Sequence, residues 1–284
     1  MSELKIIECP RDAMQGIHDF IPTQKKADYI NQLLKVGFDT IDFGSFVSPK
    51  AIPQLKDTAA VLSKLDLEKT KSSLLAIIAN ERGASDACEF EEIKYLGYPF
   101  SISETFQKRN TNASISESLS RVEAIQSLAL KTNKELVVYI SMGFGNPYGD
   151  PYHEDIAARW IQELGQLDIK IFALSDTIGV SEPKIIKQLF TTLIPEFDNY
   201  EIGAHLHSTP DTWREKIEAS YESGCKRFDG AILGYGGCPM ATDDLTGNMA
   251  TENLVQFFKE KGQNIGLNED EFENSIRKSS TIFI

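Results

Sequence analysis

The sequence predicts an α/β protein and, within that class, a closed (β/α)8 TIM barrel. Short runs rich in β-branched and aromatic residues alternate with longer segments of helical hydrophobic spacing. That alternation is the pattern of strands paired in parallel through helical crossovers. Eight such units fit into about 260 of the 284 residues, a length suited to a closed barrel rather than an open doubly wound sheet. No Gly/Ser-rich linker or break in composition divides the chain, so residues 1–284 are expected to form one domain, with a short capping segment at about 268–284.

The units follow in order. Leu4-Lys5-Ile6-Ile7-Glu8 reads as the first strand, with a helix over 23–36 whose apolar residues recur at helical spacing. Residues 38–43 form the second strand, and a helix over 51–65 follows Pro49. The third strand is 73–78, with a short helix over 82–88. The fourth is 92–100, before a long helix over 116–132. The fifth is 135–140 with a helix over 152–164, and the sixth is 169–174 with a helix over 182–194. The seventh is 201–207 with a helix over 212–223, and the eighth is 227–232 with a helix over 251–261.

Composition removes several classes of function. The formal charge of −13, from 29 basic and 42 acidic side chains, argues against a nucleic-acid partner, which would want a basic face. An anionic small ligand stays open, because a local basic patch can sit on an acidic protein. No apolar run approaches the length of a membrane helix. Cys9, Cys88, Cys225 and Cys238 are far apart and form no C-x-x-C pair, so neither a thiolate zinc site nor a disulfide framework is expected. With no secretion signal, a cytoplasmic location is expected.

In such a barrel the chemistry sits where strands end. The seventh strand ends His205-Leu206-His207, and side chains two apart on a strand share a face. A shared metal ion and two hydrogen-bonded strand-end histidines are both open readings of that pair. The first strand ends Pro10-Arg11-Asp12. Its charges are either an ion pair, or a carboxylate for a metal beside a guanidinium that faces developing negative charge. Gln15 is placed to orient Arg11 or a ligand oxygen. The second strand ends at Asp42 and the sixth at Asp176, carboxylates that either support the site or cap the next helix.

After the eighth strand comes Leu233-Gly234-Tyr235-Gly236-Gly237-Cys238-Pro239, whose glycines allow close approach to a ligand. The Cys238 thiol is either an acid or base beneath a closed loop or an incidental residue of a turn. Asn248 either caps the helix at 251 or offers its amide oxygen to a metal. Two histidines, one aspartate and one asparagine make a borderline-hard donor set, suited to Mg2+ or Mn2+.

Taken together these residues resemble the 3-hydroxy-3-methylglutaryl-CoA lyases. The likeness is carried by Glu8-Cys9-Pro10-Arg11-Asp12-Ala13-Met14-Gln15, Ser45-Phe46-Val47-Ser48-Pro49-Lys50, Asp176-Thr177-Ile178-Gly179-Val180, His205-Leu206-His207, Gly236-Gly237-Cys238-Pro239 and Gly247-Asn248-Met249-Ala250-Thr251-Glu252. The Gly-Gly-Cys-Pro loop and the Ser-Phe-Val-Ser-Pro-Lys segment are specific to the lyases, whereas Arg-Asp and His-x-His are shared with related barrel aldolases and synthases. The resemblance implies that Asp12, His205, His207 and Asn248 hold a divalent cation. It implies that Arg11 stabilises an enolate and that Cys238 lies on a loop closing over the substrate. Asp42, Asp176 and Glu252 would support the site, and Gln15 and Ser45 would join Arg11 and Glu252 around the substrate. It departs from the family pattern at Asp42 (usually Glu), Ala13-Met14 (usually Gly-Leu), Ala173 (often Ser) and Ser208 (often Asp).

The implied reaction is retro-Claisen-type carbon–carbon cleavage of an acyl-CoA substrate to acetyl-CoA and acetoacetate by a homodimer. One alternative is a related aldolase or Claisen-type synthase acting on a 2-oxo acid or another 3-hydroxyacyl-CoA. Another is a non-catalytic barrel that senses an acyl-CoA or a metal. Lys50 and Lys108-Arg109-Asn110 are basic segments in expected loops, read either as solvated surface or as contacts for the phosphates of coenzyme A.

Overall fold

The computed structural model of the chain describes residues 3–237 and 246–283. Cys238 and Pro239 of the glycine-rich loop lie outside the described residues. Eight parallel strands close into a barrel in sequential order: β1 (Lys5–Glu8), β2 (Thr40–Ser45), β3 (Ser73–Ile77), β4 (Ile93–Ser101), β5 (Glu135–Ser141), β6 (Ile171–Ser175), β7 (Glu201–His205) and β8 (Arg227–Gly230). Closure is made by β1, whose Glu8 pairs with Gly230 on one side and with Ile41 on the other. Around it run α1 (Pro10–Gln15), α2 (Thr23–Leu33), α3 (Thr58–Leu62), α4 (Glu81–Cys88), α5 (Glu104–Thr111) and α6 (Ile115–Lys131). They are followed by α7 (Glu154–Gly165), α8 (Pro183–Glu196), α9 (Trp213–Glu222), α10 (Thr251–Glu260) and α11 (Glu269–Ser279).

Strand periodicity divides the apolar residues into two layers. Leu75, Ile77, Tyr95, Val137, Tyr139, Ile171 and Ala173 point inward and fill the barrel. Their neighbours Leu74, Ala76, Leu136, Val138, Ile140 and Phe172 point outward into the larger core beneath the helices. The long helix α6 contributes Val122, Ile125 and Ala129 at helical spacing, and a Ser114–Glu117 capping box starts it.

Several local readings of the sequence change. Pro10-Arg11-Asp12 does not end a strand but opens α1, with Pro10 at the first helical position, where its missing N–H costs no hydrogen bond. The helix expected over 51–65 is a 3-10 turn, Pro53–Leu55, followed by the short α3, because Pro53 cannot continue a preceding turn. Lys108, Arg109 and Asn110 belong to α5, which starts on a side-chain cap from Ser103 to the Phe106 amide. The seventh strand stops at His205. His207–Ser208 leaves the barrel and pairs antiparallel with Gly247–Asn248. The C-terminal segment packs on the outer wall, and its Phe283 ring stacks on Tyr235 of the loop after β8, with centroids 4.6 Å apart. Helix α11 runs antiparallel to α2, with Gln32 bonded to Glu271 and Lys278 to the Asp28 carbonyl. No helix among the described residues is long and apolar enough to cross a membrane.

Candidate active site

A cavity of about 220 Å³ opens at the carboxyl ends of the strands, where βα loops meet. Arg11, Asp12, Gln15, His205 and His207 line its polar side, and Val47, Ile77, Pro99, Phe106 and Tyr139 line its apolar side.

Helix α1 sets the polar side. Its first turn carries Arg11 and Asp12, both buried although charged. Arg11 forks onto Asp42 of β2, with Nε 3.0 Å and Nη2 2.5 Å from Oδ2. Its Nη1 donates to Asp12 Oδ1 at 2.7 Å and to Gln15 Oε1 at 2.9 Å. A planar guanidinium is the side chain that can hold two carboxylates in fixed directions. Burial pushes the Asp42 carboxyl up to about 6, against the pull of Arg11. Burial would raise Asp12 as well, but the charge of Arg11, with the two imidazoles and the Asn248 amide, holds it below the usual carboxylate range.

Strand β7 brings the first imidazole. His205 is in register with Asp229 of β8, and Nδ1 lies 3.2 Å from Asp229 Oδ2. Its ring stands edge-on to Tyr139, with centroids 5.4 Å apart. Burial opposes protonation of His205, but the Asp229 hydrogen bond and charge, with Asp12, hold its pKa above the ordinary value. Burial instead lowers His207 to about 4, so that ring is neutral at neutral pH and offers a lone pair. The two ring centroids are 5.6 Å apart.

The two-residue ladder outside the barrel brings the last member. His207 pairs with Asn248, whose Nδ2 donates to Asp12 Oδ2 at 2.7 Å and to the Tyr235 carbonyl at 2.8 Å. The Asn248 Oδ1 accepts no hydrogen bond from the described residues. Gly236 lies against the same group. With φ +91°, its missing Cβ would fall 2.6 Å from the Asp12 carbonyl oxygen and 2.8 Å from Asn248 Nδ2. Only glycine lets this backbone approach so closely.

Ligand atoms of Asp12, His205 and His207 lie within 4.8 Å of one another. One carboxylate oxygen and two imidazole nitrogens, with the Asn248 amide on the same carboxylate, are a donor set that fits a divalent cation. Asp229 on His205 Nδ1 is the carboxylate–histidine contact that fixes which ring nitrogen faces a metal. Cys9, His205 and Asp229 form a second such group, deeper in the barrel.

The other expected residues stand behind this group. Asp42 reaches it through Arg11. The Ser45 hydroxyl accepts from the Val47 amide at 3.1 Å and shapes the turn whose Val47 lines the cavity. Asp176 is buried beside Ser181 and Lys216 and does not line the cavity. Glu252 accepts from the Leu233 amide at 3.0 Å, at the start of the glycine-rich segment. Asn110 is on the cavity wall, whereas Lys50, Lys108 and Arg109 are exposed. Asp229, Tyr139 and Lys216 are additions to the sequence reading. Arg227-Phe228-Asp229 held a usable signal, because two charges alternating into the face of a doubly covered parallel strand are out of place unless they do something.

Fold and site together define a barrel enzyme whose mouth gathers Asp12 from α1, His205 from the end of β7 and His207 just beyond it. The chain belongs to the HMGL-like family, whose model matches residues 4–277. It is 34% identical over 251 residues to the hydroxymethylglutaryl-CoA lyase YngG of Bacillus subtilis, covering 88% of this chain and 83% of that one. It is 31% identical over 269 residues to the mitochondrial hydroxymethylglutaryl-CoA lyase of Macaca fascicularis, covering 94% of this chain and 81% of the other. Among solved structures, an HMG-CoA lyase from Acenitobacter baumannii in complex with coenzyme A and 3-methylmalate superposes with a TM-score of 0.91 at 30% identity, covering 99% of this chain and 91% of that one.

Proposed function

We propose that this chain is a metal-dependent carbon–carbon lyase that cleaves 3-hydroxy-3-methylglutaryl-CoA to acetyl-CoA and acetoacetate. The observation that carries the reading is the convergence of Asp12, His205, His207 and Asn248 at one mouth of the barrel, with Arg11 beside them. The family relationship supports the substrate. Asp12, His205, His207 and Asn248 would hold Mg2+ or Mn2+, which, when bound, acidifies the substrate's tertiary hydroxyl and fixes the oxygens around it.

The protein's own groups do the rest. Arg11, held rigid by Asp42, presents a fixed positive charge at the cavity wall, where the leaving acetyl-CoA enolate develops negative charge. The hydroxyl proton leaves, the bond between C2 and C3 breaks, acetoacetate departs, and the enolate carbon takes up a proton. His205 and Cys238 are the two candidates for this proton traffic. With Nδ1 held by Asp229, His205 has one ring nitrogen left, so it serves either as a metal ligand or as the proton carrier, and as a ligand it leaves the proton to Cys238. The apolar wall of Val47, Ile77, Pro99 and Phe106 excludes water from the enolate. The cavity is of a size for the acyl group, leaving the coenzyme A portion to run outward past Asn110.

The reading includes a homodimer in the cytoplasm. Cys9, Cys88 and Cys225 are unpaired thiols, in keeping with a reducing compartment. The experiment is to add Mn2+ and 3-hydroxy-3-methylglutaryl-CoA and assay acetoacetate, with a panel of 2-oxo acids and other 3-hydroxyacyl-CoA esters alongside. Acetoacetate from this ester alone is the expected result. Turnover of a 2-oxo acid instead would overturn the substrate assignment.

A further inference from the structure

Lys216, on the inner face of α9, lies outside the cavity, and its ammonium is buried with only 2% of the side chain exposed. An ammonium has three N–H donors, and each finds an acceptor here: Asp176 Oδ2 at 2.8 Å, the Gly179 carbonyl at 3.0 Å and the His207 carbonyl at 2.9 Å. Asp176 is itself fixed, accepting from the Ser181 amide at 3.0 Å and the Ser181 hydroxyl at 2.5 Å. Its own backbone N–H donates to the His205 carbonyl at 2.9 Å. The Lys216 ammonium, fixed by Asp176, therefore holds the His207 backbone from the α9 side, next to the point where the Asp176 backbone continues the β6–β7 ladder onto His205. His207 in turn pairs with Asn248.

His207 has left the barrel sheet, so the strand hydrogen bonds that index His205 do not index His207. A buried ion pair is a poor way to add stability, since well-packed apolar residues often do as well or better. Its value is directional. Resting on the metal site read in the preceding subsection, we propose that Lys216 is a positioning residue that sets the His207 imidazole, and with it the Asn248 amide, at the spacing a divalent cation requires. Asp176 works through Lys216, whose ammonium it fixes.

The test compares wild type, Lys216→Met and Lys216→Met/Asp176→Asn for thermal midpoint, Mn2+ dissociation constant, the Mn2+ paramagnetic resonance spectrum, kcat and KM. The single variant leaves Asp176 buried without its cation and is expected to melt lower. The double variant removes both charges and is expected to fold. In both, Mn2+ binding should weaken about 10- to 100-fold, the range for residues that orient metal ligands. The spectrum should change and kcat should fall, while KM for the acyl-CoA at saturating metal stays within about twofold. A folded double variant with wild-type Mn2+ affinity and spectrum would overturn the proposal. So would a double variant that cannot fold, because the pair would then serve folding alone. Wild-type protein that binds no Mn2+ would instead bring down the metal-site reading and this inference with it.

Discussion

His205 and Asp229 face each other in register across β7 and β8, with the imidazole Nδ1 3.2 Å from the carboxylate Oδ2. The contact engages Nδ1 and leaves Nε2 as the ring nitrogen free for a ligand. It also makes a barrel-wall carboxylate, silent in the sequence motifs, part of the site.

Asp229→Asn keeps the shape of that contact and removes its charge. Mn2+ affinity is expected to fall about 10- to 100-fold. Isothermal titration without substrate measures it, and an unchanged dissociation constant would remove Asp229 from the account.

Arg11→Gln is expected to lower kcat by a factor of about 10² to 10³, the loss typical of one removed anion-stabilising donor. It should also destabilise the fold by about 3–5 kcal/mol, because it leaves Asp42 and Asp12 buried without their cation. Arg11→Gln/Asp42→Asn should recover much of the melting temperature and none of the activity. Denaturant melts and steady-state kinetics on both variants separate the two effects.

Glu8 gives a pH dependence that the chemistry does not share. Its carboxyl is buried under Ile232 and Thr251, and burial pushes it up to about 8. The folded state therefore binds a proton that the unfolded chain releases near the ordinary glutamate value. Stability is expected to be fullest below that value, to fall as pH rises, and to level off above about 8. The loss is on the order of a few kcal/mol. Glu8→Gln should flatten the slope of melting temperature between pH 5 and 9. A wild-type slope in the variant would contradict the assignment.

Gly236→Ala adds a methyl group where the Asp12 carbonyl and the Asn248 amide already stand, on backbone with φ +91°. The segment must move away from the metal group. Mn2+ affinity and kcat are expected to drop at least tenfold, while the melting temperature shifts by only a few degrees. Equal losses of stability and activity would mean that the segment matters to folding first.

Much of this was legible in the residues. Strand–helix alternation predicted the barrel because a doubly covered parallel sheet leaves a strong apolar signature, and the polar residues picked out near the strand ends include Asp12, His205 and His207, whose ligand atoms converge. Asn248 was open in the residues between a helix cap and a metal ligand, and only an antiparallel ladder outside the barrel, His207 against Asn248, brings it to Asp12. Local helix chemistry misled at Pro10 and at Lys108, where a helical first position and a serine cap both resemble loop signals. Asp176 was expected to support the site or to cap the next helix, and the structure turns its carboxylate to Ser181 and Lys216. Its partner Lys216 is forty residues away on a helix whose local pattern is ordinary, so nothing in the sequence revealed which way the carboxylate would turn. Cys238 lies outside the described residues.

The most direct measurement is anomalous scattering from a crystal soaked in Mn2+. One peak is predicted, bounded by Asp12, His205, His207 and Asn248, with Arg11 beside it. A peak enclosed instead by Cys9, His205 and Asp229, or none at the barrel mouth, would contradict the account.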